Sequence, residues 1–486
     1  MALITWQTLF RELLWAPLKR DEVEFLHSAW LMYGGARPFA DFFQHHSPLY
    51  LQLVARFVDD PHELGWVIDL RLLSLFLLAA SASMVGWLAL AVVPKQWNFR
   101  SWLAALGTLL FLYLMQGLPV FEIRPESVAV PCFLAAWITH EIAIARRSFS
   151  LTIISGLLAG MAIALSPRAL WPVAALMLTT LTAGLTARER YRFNHALVAG
   201  VTAIVSGLCV LFLLASGQEL YQWLYRFSRF SRPLSPLFDT VSVTTLCWLL
   251  LPALPLFLLV SGRDPRLTLL QPMAVLLAAL AGIALEPRQF GQSLSFVIPA
   301  LTLFYSRALG HLCCRFRSQP QPSLYPVVIV VTTFSGMFAW HLSLLAASTS
   351  VPDAAISDIR LVAALRPEVD LLTSLHARTR FCERHDGERV LVEPTELHPI
   401  CLADASYYWR GAEYLRAGTL QAAGIEHPKY EPFANVERVR PVLIGPAFRR
   451  GADVEERTAI ERFLDDNYQP SGWAFLRKDI GVSKQP

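Results

Sequence analysis

Residues 20–50 read RDEVEFLHSAWLMYGGARPFADFFQHHSPLY. The stretch packs two adjacent acids (Asp21, Glu22), then Glu24, His27, a Gly-Gly pair, Arg37-Pro38, Asp41 and His45-His46 into one segment. Long apolar runs follow it for most of the chain. Ionisable groups beside lipid cost free energy unless they line a wet cavity, so they mark a candidate functional site. The alternative is an ordinary polar loop between two spans.

Working outward, composition sets the class. The chain is 54% hydrophobic and only 16% charged, whereas a soluble domain has nearer 25% charged residues. It reads as a polytopic α-helical membrane protein. The formal charge of +4 is small and sits in connectors, so it speaks to topology and not to nucleic acid. The opening MALITWQTLFRELLWAP shows no small-residue cleavage pattern. Residues 1–17 make at best a short first span, interrupted by Arg11-Glu12.

After the opening stretch, LQLVARFVDDPHELG is an amphipathic segment suited to the membrane interface. Apolar runs then predict spans at 66–93, 101–119, 125–145, 151–166, 169–187, 195–216, 240–260, 267–285, 289–306 and 325–346. Counting the partial first segment, this is about ten or eleven helices. The break Ser166-Pro167-Arg168 predicts two helices meeting at a surface. Basic residues fall in alternate connectors: Lys95 and Arg100; Arg146 and Arg147; Arg188, Arg190 and Arg192; Arg263 and Arg266; Arg307, Arg315 and Arg317. That set is expected on the cytoplasmic side. The opening stretch and the C-terminal region then face outward.

From about residue 351 the pattern changes. ERVLVEP, RPVLIG and GWAFLRKD have the look of strands, and GADVEERTAIERFLDDNY of an amphipathic helix with acids in its first turn. The division is therefore a membrane domain over 1–350, with 18–65 as its first outer loop, and a small outer α/β domain over 351–486. Five cysteines (Cys132, Cys209, Cys247, Cys313, Cys314) sit in or beside apolar runs. Cys382 and Cys401 lie in the polar C-terminal region, where a disulfide and a pair of partly buried thiols are both open readings. No cysteine–histidine spacing suits a metal.

Several residues bear chemistry. A carboxylate at a water–membrane boundary, such as Asp21 or Glu22, can serve as a general base. A solvated pair closing a helix end is the plainer alternative. Arg124, Arg168 and Arg288 stand in expected outer connectors. Arg226, Arg229 and Arg232 are spaced three apart, on one face of a short helix. Arginine binds phosphate through a planar fork of donors, so the set suits a lipid-linked phosphate. Snorkelling to ordinary head groups is the alternative for any one of them. Glu126 stands close enough to Arg124 to pair with it, and His45 and His46 precede a Ser-Pro turn.

An acid pair (Asp21-Glu22), then Gly35-Ala36-Arg37-Pro38-Phe39-Ala40-Asp41-Phe42, then His46-Ser47-Pro48-Leu49-Tyr50, follow one another here. Later come Arg124-Pro125-Glu126 and Phe296-Val297-Ile298-Pro299-Ala300-Leu301. This order resembles the GT-C class of membrane glycosyltransferases, in particular the protein O-mannosyltransferase and aminoarabinose-transferase-like branch, over residues 15–305. The resemblance implies inverting transfer of a sugar from a polyprenyl-phosphate donor to an acceptor hydroxyl or amine, on the outer face of a bacterial inner membrane. Asp21 would be the base and Glu22 would position it. Arg124, Arg168, Arg229 and Arg288 would hold the donor phosphate. Asp41, His45, His46 and Glu126 would place acceptor or sugar. No cofactor or metal is implied, and the partners are the lipid-linked donor and a glycan, lipid or protein acceptor. A transporter or lipid-handling protein without chemistry is the alternative, and a receptor or assembly subunit a more distant one.

Overall fold

The structure, a computed structural model, describes residues 20–33, 35, 37–38, 44, 46–58, 65–90, 100–115, 123–221, 267–285, 291–318, 383–385, 388–390, 443–444, 454–471 and 474–478. The helices are α1 (Arg20–Tyr33), α2 (Pro48–Ala55), α3 (Gly65–Leu90), α4 (Arg100–Met115), α5 (Pro125–Arg146), α6 (Phe149–Leu165), α7 (Leu170–Thr186), α8 (Arg190–Leu214), the short α9 (Gly217–Leu220), α10 (Leu267–Leu285), α11 (Val297–Ser318) and α12 (Val454–Asn467). Three-residue and six-residue 3-10 turns, Pro167–Ala169 and Gly291–Phe296, precede α7 and α11.

Among the described residues, four stretches are long and apolar enough to cross a membrane: Asp69–Leu90, Pro125–Arg146, Pro167–Thr186 and Arg190–Leu214. Phe149–Leu165 and Leu269–Ile283 are shorter apolar helices. Proline marks the starts. Pro48, Pro125 and Pro167 occupy first-turn positions, where a missing N–H is no loss. Ser148 caps α6 by accepting from the Leu151 N–H at 3.4 Å.

The helices run as alternating hairpins. α6 lies between α5 and α8, α7 packs on α8 and α10, and α11 packs on α10, α4 and α3. The α6–α8 contact is close because glycine permits it. A Cβ on Gly156 would lie 2.7 Å from the Ala199 carbonyl oxygen, and one on Gly160 2.6 Å from that of Ala203. Small residues let helix backbones approach where lipid offers no hydrophobic drive. The far side of α8 presents Val201, Ile204, Val205, Phe212 and Leu213 outward, as a lipid-facing surface would. A continuous apolar core, including Phe111, Phe133, Trp137, Phe296 and Phe304, fills the bundle.

Several expected boundaries move. The break at Ser166-Pro167-Arg168 separates α6 from α7 as expected. The span expected at 289–306 is instead a 3-10 turn followed by a helix from Val297 to Ser318. Pro299 falls in the first turn of that helix, where it is tolerated. α8 begins at Arg190, five residues before the apolar run, because its first polar turns still pack: His195 is buried. The interfacial segment starts earlier too, at Pro48, and buries Pro48, Tyr50, Leu51 and Val54 against the bundle. The expected spans at 1–17, 240–260 and 325–346 lie outside the described residues.

In the C-terminal region, β1 (Glu383–His385) pairs antiparallel with β2 (Glu388–Val390). β3 (Leu443–Ile444), β4 (Tyr468–Ser471) and β5 (Ala474–Arg477) form an antiparallel sheet in the order β3-β5-β4, with Leu443 opposite Leu476 and Tyr468 opposite Arg477. α12 runs directly into β4, and Ile460, Phe463, Leu464 and Tyr468 are buried.

Candidate active site

α3 starts, α5 starts, α6 ends and α7 starts at the same end of the bundle, where α1 packs on α2 and α2 contacts α6 and α8. Polar side chains from all of them converge there. Glu22, in the first turn of α1, is 2% exposed. Its Oε2 accepts from Arg71 Nη2 at 3.2 Å, and Arg71 is equally buried. Its Oε1 accepts from the Ile123 N–H at 3.1 Å. One carboxylate thus joins α1, α3 and the lead-in to α5. Burying two charges is costly, and only good geometry with further hydrogen bonds offsets that cost. The Ile123 bond is such a further contact.

Arg124 follows Ile123 and forms the extended cap residue of α5, at φ −144° and ψ 155°. Its carbonyl accepts from Ser127 Oγ at 2.7 Å, which fixes the turn. Arg124 itself is buried. Glu126, in the first turn of α5, accepts from Arg168 Nη1 at 2.9 Å and from Ser166 Oγ at 3.4 Å. An acid suits that helix N-terminus. The Arg168 side chain, 23% exposed, is the most open of this group.

Tyr50 sits between the two ion pairs. Burial first, then the Glu126 and Glu22 carboxylates, push its phenol well above its ordinary range. Arg124 and a hydrogen bond with Ser127 act in the opposite sense and do not overcome that. Tyr50 is therefore a neutral hydroxyl among charges.

The loop before α2 is pinned to α1. Gln44 Nε2 donates to Ser28 Oγ at 2.9 Å, both buried, and Gln44 Oε1 accepts from the His46 N–H at 2.9 Å. The His46 ring lies 4.7 Å from that of Phe25, and Tyr50 meets Phe25 edge-on at 5.2 Å. Ser47 Oγ donates to the Ala164 carbonyl at the end of α6.

The sequence-predicted residues divide accordingly. Glu22, Arg124, Glu126 and Arg168 come together, with His46 on the neighbouring loop. Glu126 pairs with Arg168, across 42 residues, where sequence proximity suggested Arg124. Asp21 lies on α1 beside Glu22, its side chain outside the described residues. Asp41, His45, Arg229, Arg288, Cys382 and Cys401 also lie outside the described residues. Sequence reasoning gave no role to Arg71, Tyr50 or Gln44. Arg71 carried a usable signal: an arginine inside the apolar run GWVIDLRLLSLFLL needs a buried acid. Among the described residues no group of three His, Cys, Asp or Glu side chains is placed to hold a metal ion.

The arrangement is a polar cluster at one end of a helical bundle, in which the buried carboxylates of Glu22 and Glu126 hold Arg71 and Arg168 in place. The membrane part has the GT-C fold, and its likeness to a solved structure is the ground for saying so. ArnT from Cupriavidus metallidurans, solved bound to undecaprenyl phosphate, matches with a TM-score of 0.51 at 15% identity, over 77% of this chain and 73% of that one. The arabinosyltransferase EmbB from Mycobacterium smegmatis aligns with a TM-score of 0.46 at 13% identity, over 74% of this chain and 32% of that one. No family model and no curated protein sequence matches the chain.

Proposed function

We propose that the protein is a membrane glycosyltransferase that moves a sugar, with inversion, from a polyprenyl-phosphate donor to an acceptor hydroxyl or amine. The observation that carries this reading is the converged group Glu22–Arg71, Arg124 and Glu126–Arg168 around Tyr50 at one end of the bundle. The donor's phosphate is the leaving group, so positive charge must stand ready where it departs. Arg124 and Arg168 supply that charge here, and Arg229 and Arg288 join them in this reading. The lipid in the ArnT structure, undecaprenyl phosphate, is the chemistry such a cluster would hold.

In the reaction the acceptor oxygen or nitrogen attacks the anomeric carbon. The bond from that carbon to the phosphate oxygen breaks, and the phosphate leaves with the electron pair. The acceptor's proton passes to Asp21. Glu22 is poorly suited to take it, because both of its oxygens already accept hydrogen bonds. Its role is to hold α1, and with it Asp21, against α3 and the start of α5. Glu126 orients Arg168. Asp41, His45 and His46 position the sugar or the acceptor. That end of the bundle faces the outer side of the inner membrane in this reading, and the C-terminal region lies on that side as a small α/β domain with a Cys382–Cys401 disulfide.

The test is transfer and donor hydrolysis with a panel of polyprenyl-phosphate sugars, comparing wild type with Asp21→Asn and Arg288→Ala. Sugar release from one donor, lost in the Asp21 variant and accompanied by weaker donor binding in the Arg288 variant, is the expected result. Folded protein that binds none of the donors would remove the transferase reading and favour a transport or lipid-handling role.

A further inference from the structure

The opposite end of the bundle carries a second concentration of arginine. Arg146 ends α5 and Arg147 follows it; Arg188 lies in the α7–α8 turn and Arg190 opens α8. All four are exposed. Among the described residues none of these four has a carboxylate within ion-pair distance. Glu189, the nearest acid in sequence, is taken by Arg192.

Tyr191 binds the two turns into one surface. The Arg147 guanidinium lies 4.7 Å from the centre of its ring and that of Arg192 5.9 Å from it. Arg192 Nε also donates to the Tyr191 hydroxyl at 3.1 Å. The cations are thus held on an aromatic platform, which is a preorganised arrangement.

Helix electrostatics alone does not explain this set. Cations at the ends of α5 and α7 suit the helix dipole, but Arg190 stands in the first turn of α8, where a cation is disfavoured. Local backbone preference argues the same way. Arg147 has φ 52° and Arg188 φ 53°, the left-handed region in which helices usually end with glycine. Two arginines held there run against that preference.

Apolar surface adjoins the patch. Phe149 and Ile153 of α6, Leu185 of α7 and Leu197 of α8 are exposed within a few turns of the arginines. A ligand with a phosphate head and hydrocarbon tails matches that sequence of surfaces. We infer that the two turns, through Arg147, Arg188 and the Tyr191 platform, bind the phosphate head group of an anionic membrane lipid in the leaflet they face. This site is separate from the Glu22 end and stands whether or not the transfer reading holds.

The experiment is native mass spectrometry of the full chain in detergent, titrated with phosphatidylglycerol or with phosphatidylcholine. Wild type should retain phosphatidylglycerol preferentially. Arg147→Ala/Arg188→Ala should lose that retention by roughly tenfold or more, given the attraction of each basic residue to an anionic surface. Tyr191→Leu, which removes no charge, should weaken it severalfold, and this variant decides the matter if the double variant does not fold. Equal retention of both lipids, or unchanged retention in folded variants, would reduce the patch to ordinary annular lipid and overturn the site. Displacement of the lipid by millimolar glycerol phosphate would also overturn it, as it would mark a site for soluble phosphate.

Discussion

Arg71, Arg124 and Arg168 at one end of the bundle are buried or half-buried, and Arg71 and Arg168 are tied to Glu22 and Glu126. Arg146, Arg147, Arg188 and Arg190 at the other end are exposed and have no such acid among the described residues. The same residue type serves two physical purposes. A guanidinium held by a buried carboxylate has a fixed direction and a reduced net charge, which suits placing a substrate. A solvent-exposed guanidinium keeps its full charge and suits a diffuse anionic surface. A buried pair also exists at the second end, where Arg307 Nη2 donates to Glu141 Oε1 at 2.8 Å and to the Leu88 carbonyl at 3.1 Å. It joins α11, α5 and α3.

Breaking the Glu22 pair should produce the largest effect. Glu22→Ala breaks a buried ion pair and should cost about 3–5 kcal/mol, read by denaturation in detergent. The double variant Glu22→Ala/Arg71→Ala should cost less than the sum of the singles, with a coupling of about 0.5–3 kcal/mol. Additive costs would mean that the two side chains do not interact.

Arg307→Met should be milder, on the order of 1–3 kcal/mol. Its partner Glu141 keeps the hydrogen bond from Trp137 Nε1 at 3.1 Å and 20% side-chain exposure, so the acid left behind stays bonded and can reach water. Binding of the proposed donor should be unchanged, and a loss equal to that of an Arg168→Ala variant would erase the distinction between the two ends.

Tyr50→Phe removes one hydroxyl among charges and should cost about 1 kcal/mol. The wild-type phenol is raised above its ordinary 10.0, so its contribution is complete below about pH 10 and is lost as pH climbs beyond that. The gap between wild type and variant should therefore be constant through neutral pH and close only in alkali, in melts followed against pH. The smallest shift belongs to the exposed patch. Arg147→Ala/Arg188→Ala should change the melting temperature by no more than about 1–2 °C in lipid-free detergent, since exposed positions contribute little to stability.

Much of this was legible in the sequence, for a reason that can be named. Apolar length and proline starts define membrane helices directly, and α3, α5, α6 and α7 fall within a few residues of where those signals put them. The acid pair and Arg124, Arg168 and Glu126 stood out as charge beside lipid. Pairing did not. Glu126 reaches Arg168 and Glu22 reaches Arg71 across 42 and 49 residues, and which helix ends meet is set by packing that no local pattern records. Tyr50 was hidden differently: an aromatic in a short apolar helix looks like core, and only its neighbours make it polar. α11 was misplaced because GQSLSF is apolar enough to extend the run, while its small residues form a 3-10 turn.

The double grip on Glu22 has a consequence for how the chain is made. Synthesis proceeds from the N-terminus, so this acid emerges 49 residues before Arg71 and 101 before Ile123. Until both arrive, it lacks two of the contacts that hold it inside the bundle, and burying a charge without them is costly. α1 therefore docks late, after α3 and the start of α5 are in place, and chains cut short before residue 123 should leave their N-terminal segment open to proteolysis.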